Sequence, residues 1–192
     1  MLAVDMDTNT TEMTSKAADE GGTEGYALNR VSLSALKTFD LEDYYTQGER
    51  VLFDLKDNLY QGMILREKDF REFIKNHDWQ VYKNKFVAIT CSEDAIIPTW
   101  AYMLISSALQ PFASKVVYGS LADLETILYH ESLSKIDWNA YQGAKVVIKG
   151  CSKIEVPVAA YVYATNQLRG VAASIMYGEP CSTVPIFKIK KP

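Results

Sequence analysis

Two near-continuous apolar runs, Lys85-Phe-Val-Ala-Ile-Thr90 and Val146-Val-Ile148, constrain this chain more than any other feature. A strand that is apolar at successive positions has to be covered on both faces, which is the habit of parallel strands in α/β proteins. Both runs lead through a turn and a proline into a helical stretch. Pro98 suits the first position of a helix running to about Leu109, and a second helix begins near Pro157. Lys115-Val-Val-Tyr118 reads as the strand between them. It is followed by Ser120-Leu-Ala-Asp123, a capping-box pattern, with Leu121, Leu124, Ile127 and Leu128 on one helical face.

Upstream, Val51–Leu55 and Leu59–Leu65 read as a hairpin around Asp57-Asn58. Glu67–Asn76 has Phe70, Phe73 and Ile74 at helical spacing. Ser174–Tyr177 and Pro185–Ile189 close the chain as strands. The expected class is α/β in three layers. A mostly parallel sheet, made mixed by the early hairpin, has helices on both faces.

The plan repeats. Val87-Ala-Ile-Thr-Cys-Ser92 resembles Val146-Val-Ile-Lys-Gly-Cys-Ser152, and Pro98, Tyr102 and Val117-Tyr-Gly119 recur as Pro157, Tyr161 and Met176-Tyr-Gly178. Each half is strand, Cys-Ser, proline, helix, strand, Tyr-Gly.

The acids are unevenly placed. Residues 1–25 hold six acids against the single base Lys16, leaving the rest nearly neutral within a formal net charge of −4. These 25 residues have no apolar period and read as a disordered acidic tail, with one domain over residues 26–192. A neutral body lacks the basic field that nucleic acid requires. There is no basic start followed by an apolar run, and no apolar stretch of membrane-spanning length. A cytoplasmic protein with three reduced cysteines is expected.

All three cysteines begin one phrase, Cys-Ser, a short loop, then an aliphatic residue and proline: Cys91–Pro98, Cys151–Pro157 and Cys181–Pro185. Each follows a strand, and turns after parallel strands share the carboxyl edge where α/β proteins keep ligands. Strand spacing of about 4.8 Å would let thiols from adjacent strand ends reach one ion. Buried packing is the competing account of any cysteine. Cys181 falls where the first half has Ala122, so duplication does not supply it. Glu179, Glu67 and Asp69 are candidates for a further ligand. His77 reads as a helix-end residue and His130 as an exposed one, and no Ser-His-Asp arrangement is expected. Glycine-rich nucleotide and phosphate motifs are absent.

Seven phrases together resemble a known family. They are Ala27–Ser32, Phe39–Tyr44, Leu65–Phe73, Ala88–Ser92, Pro98–Tyr102, Lys149–Ser152 and Gly178–Pro185. The family is a Bacteroidetes domain of unknown function, number 2480, and the likeness spans about residues 26–189. Its members tend to be encoded beside the SUF iron–sulfur assembly machinery. The resemblance therefore implies an accessory protein of cluster assembly with SUF-type partners. Cys91, Cys151 and Cys181 would hold iron, an iron–sulfur cluster or zinc. A thiol-based enzyme or sulfur carrier, and a non-catalytic interaction module with buried cysteines, are the alternatives.

Overall fold

The computed structural model describes residues 36–150, 153–179 and 182–189. The tail at residues 1–25, together with Cys151 and Cys181, lies outside the described residues. Seven strands and four α-helices follow one another in the described chain. They are β1 (Leu36–Asp40), β2 (Arg50–Asp54), α1 (Glu67–Asn76), β3 (Phe86–Thr90), α2 (Thr99–Leu109), β4 (Lys115–Tyr118), α3 (Leu121–Leu133), β5 (Lys145–Lys149), α4 (Val158–Arg169), β6 (Ser174–Glu179) and β7 (Ser182–Lys188). The α/β class holds. None of the described helices is long and apolar enough to cross a membrane.

The strands divide between two sheets where the sequence suggested one. β2, β3 and β4 form a parallel three-stranded sheet in that order. β1, β5, β6 and β7 form a four-stranded sheet, parallel except for the β6–β7 pair. The antiparallel element is therefore at the end of the chain and not in the early hairpin. Asp54 explains the difference. Its carboxylate accepts a hydrogen bond from the Lys56 amide at 3.0 Å, which turns the chain into a 3-10 turn (Leu55–Asn58) with Leu55 fully buried. What remains of the predicted hairpin is an isolated bridge, Tyr60 to Ile64, around Gln61-Gly62, both at positive φ.

Two units of common plan result, one nested in the other. The inner unit runs from β2 to β4. The outer unit starts with β1, is interrupted by the whole inner unit, and resumes with α3. Among the described residues four 3-10 turns punctuate them, and each begins on an aspartate, Asp40, Asp54, Asp78 or Asp137. In every case the side chain accepts from the amide two residues on.

Helix α3 serves both sheets. Leu124 and Leu128 pack with Phe86, Ala88 and Val117 on one face of the three-stranded sheet. Tyr129 and Leu133 join Phe39, Val146, Ile148 and Ile175 of the four-stranded sheet. The other face of β3, Val87 and Ile89, meets Phe70 of α1 and Ala101, Ile105 and Leu109 of α2. Helices thus cover both faces of β3, the reason its sequence is apolar throughout.

Candidate functional site

The carboxyl ends of β2 and β3 meet at Asp54. Its carboxylate accepts the Ser92 amide at 3.0 Å, the Ser92 hydroxyl at 2.6 Å and the Lys56 amide, with the Lys56 ammonium 3.6 Å away. Desolvation raises the Asp54 pKa. The Ser92 hydroxyl, the two amides and the Lys56 charge outweigh it, and the carboxyl titrates below its ordinary value. Asp54 therefore fixes the turn that carries Cys91.

Cys91 is a free, half-buried thiol packed against the inner unit's core, and its Sγ donates to the Glu93 carbonyl at 3.6 Å. Tyr102 of α2 is its neighbour. Burial raises the Tyr102 phenol pKa, with further contributions from Tyr118, Cys91 and Asp54. Tyr102 meets Tyr118 edge to face at 5.1 Å, and both line a groove of about 860 Å³ between α2 and β4.

The outer unit repeats this corner with different chemistry. Asp40 occupies the place of Asp54, but its carboxylate pairs with Lys149 Nζ at 2.7 Å. Glu42 accepts the Lys153 amide at 2.9 Å. Lys149 titrates above its ordinary value because Asp40 holds its proton, with smaller help from the Glu179 and Glu42 charges. Glu179, the exposed last residue of β6, is thereby placed beside the end of β5.

The offset of 59 residues is unbroken from Val87 to Tyr118, so Cys91 corresponds to Gly150 and Ser92 to Cys151. The two thiols are not copies of one position. A Cβ at Gly150 would lie 2.7 Å from Tyr161 Oη and 3.3 Å from both Leu41 and Val156. The outer corner has no room there for the side chain that the inner corner carries.

The remaining candidates separate. Glu67 opens α1 on the surface, paired with Arg71 at 2.8 Å, and Asp69 pairs with Arg66 at 3.1 Å. His77 caps α1, but its ring sits within an aromatic cluster of Phe53, Phe73, Trp79 and Tyr82. Its Nε2 is buried without a hydrogen-bond partner among the described residues. His130 is exposed, against the edge of Tyr163. Among the described residues no three His, Cys, Asp or Glu side chains gather to hold a metal. They do not make a metal centre by themselves.

Sequence reasoning missed β1, the aspartate anchors and the groove. The available signal was Phe39-Asp-Leu-Glu-Asp43 recurring as Phe53-Asp-Leu-Lys-Asp57, which marks the first strand of each unit. No curated protein and no solved structure matches the chain. The profile of the family described as "Protein of unknown function (DUF2480)" matches residues 26–189, nearly the whole length outside the acidic tail, and the chain belongs to that family.

Proposed function

We propose that this chain is a cytoplasmic accessory protein of iron–sulfur cluster assembly, with SUF-type partners, which holds iron, a cluster or zinc through Cys91, Cys151 and Cys181. The observation behind the reading is the convergence at the end of the four-stranded sheet. β5 and β6 are adjacent and parallel, with Ile148 opposite Tyr177, and Lys149 is close enough to Glu179 to be shifted by its charge. The segments bearing Cys151 and Cys181 therefore leave neighbouring strand ends, about 4.8 Å apart by ordinary strand spacing. Sulfur–metal bonds of about 2.3 Å suit that separation.

The inner unit's edge is not remote from this corner. Ile154, Glu155 and Pro157, just after β5, share a pocket with Leu121 and Ala122 of α3, and α3 begins directly after β4. Three thiolates leave one position for a carboxylate, and Glu179 is better placed for it than Glu67, which is held in a surface ion pair. The test is anaerobic purification and reconstitution with iron and sulfide, followed by metal and sulfide analysis. We expect Cys151→Ser and Cys181→Ser each to abolish retention. Wild-type protein that stays metal-free after reconstitution ends the proposal.

A second reading makes Cys91 a nucleophile, in a thiol enzyme or sulfur carrier. It is favoured by the half-buried position beside Tyr102. Alkylation rates against pH separate the two. A Cys91 thiol reacting like free cysteine, near pKa 8.5, removes the nucleophile.

A further inference from the structure

The two units carry the same groove, and among the described residues only one of them has a further strand along its edge. In the outer unit a cavity of about 370 Å³ is lined by Ile148, Val156, Val158, Tyr161, Thr165 and Tyr177, with Ile186 of β7 as the seventh residue. Subtracting 59 from the first six gives Ile89, Ile97, Thr99, Tyr102, Ser106 and Tyr118, every one of which lines the 860 Å³ groove of the inner unit. The tyrosine pairs match as well. Tyr161 meets Tyr177 edge to face at 5.7 Å, as Tyr102 meets Tyr118 at 5.1 Å. The seventh position is the difference. In the outer unit β7 lies antiparallel on β6 and supplies Ile186, whereas among the described residues nothing pairs with the outer edge of β4.

Exposure follows this difference. Tyr177, beside β7, is 43% exposed and its counterpart Tyr118 is 72% exposed, with Met103 at the groove at 66%. An open strand edge flanked by an apolar groove is the arrangement to which extended peptides add, the backbone giving affinity and alternate side chains giving specificity. The outer unit shows which side chain the groove takes. It is an aliphatic residue at the rim of the cavity, on a strand that runs antiparallel to its neighbour. Arg169 stacks over Phe187 of β7 at 3.7 Å, and its counterpart in the inner unit is the neutral Gln110, so the inner groove asks for no paired charge there.

We propose that the free edge of β4 and its groove form a docking site for an extended segment of a partner protein. The segment adds antiparallel to Lys115–Tyr118 and places an aliphatic side chain at the rim of the groove, as Ile186 does in the outer unit. This site is independent of the thiol reading and stands or falls without it.

The probe is a synthetic peptide of residues 182–189, added to the full chain, with amide hydrogen exchange read residue by residue. At a peptide concentration about ten times its Kd, exchange across Lys115–Tyr118 should slow about tenfold. The same peptide carrying Ile186→Asp should give no slowing, and neither should Met103→Glu in the chain, whose fold circular dichroism checks. Wild-type chain showing no slowing at β4, or slowing at β6 as the peptide exchanges with resident β7, overturns the proposal. So does self-association in sedimentation with β4 protected before peptide is added, because the occupant is then a second copy.

Discussion

Asp54 and Tyr129 are the two side chains whose removal has the clearest expected consequences. Asp54 collects three donors across two strands, so Asp54→Ala should cost about 1–2 kcal/mol in urea denaturation, the scale of a lost capping aspartate. Its folded-state pKa is depressed. Its stabilising contribution is therefore present above the unfolded value near 4 and is lost as pH falls through the lower folded value. Asp54→Asn should flatten the acid side of the stability profile below about pH 4. Tyr129 shows the opposite sign. Its hydroxyl is buried without a hydrogen-bond partner among the described residues. Desolvation, then the Glu125 and Glu42 charges, push its pKa up to about 12, with Arg50 opposing. Tyr129→Phe should leave stability unchanged or raise it by about 1 kcal/mol, because no made hydrogen bond is lost. In the wild type the contribution is complete below the unfolded value of about 10 and is lost as pH rises through the folded one. The variant should lack that alkaline decline.

The strand-ending glycines show how one local conformation serves two elements. Gly119 (φ +133°) and Gly178 (φ +118°) are counterparts in the repeat, yet the first leads into α3 and the second into β7. A Cβ at Gly119 would lie 2.6 Å from Asp123 Oδ2, the capping-box carboxylate, and one at Gly178 would lie 2.6 Å from the Ser182 carbonyl oxygen. Either Gly→Ala should cost about 1–3 kcal/mol, from strain in the backbone and the close approach. Ser120→Ala, which removes only the cap, should cost about 1 kcal/mol. Urea midpoints rank the three. The capping box was legible because its signals, Ser120 and Asp123, are three residues apart. β1 was not, because its partner β5 is more than a hundred residues away and its own five residues carry only one buried side chain, Phe39.

Because the inner unit interrupts the outer one and α3 packs on both sheets, the two units should melt together. Leu124→Ala, facing the three-stranded sheet, and Leu133→Ala, facing the four-stranded one, should each cost about 2–5 kcal/mol. Calorimetry should show one transition, lowered in both variants. Two separated transitions would mean that α3 does not couple the sheets.

By itself the sequence determined the elements whose cause is local. Continuous apolar runs had to become doubly covered strands, the Ser120–Asp123 spacing had to cap a helix, and the recurrence of Pro, Tyr and Tyr-Gly had to mean one plan used twice. Tertiary structure alone decided which strands pair, because hydrogen bonding between strands is indifferent to sequence distance and parallel partners leave no turn signature between them. That is why one expected sheet became two. The same pairing put Ile186 beside one groove and left its duplicate open at β4.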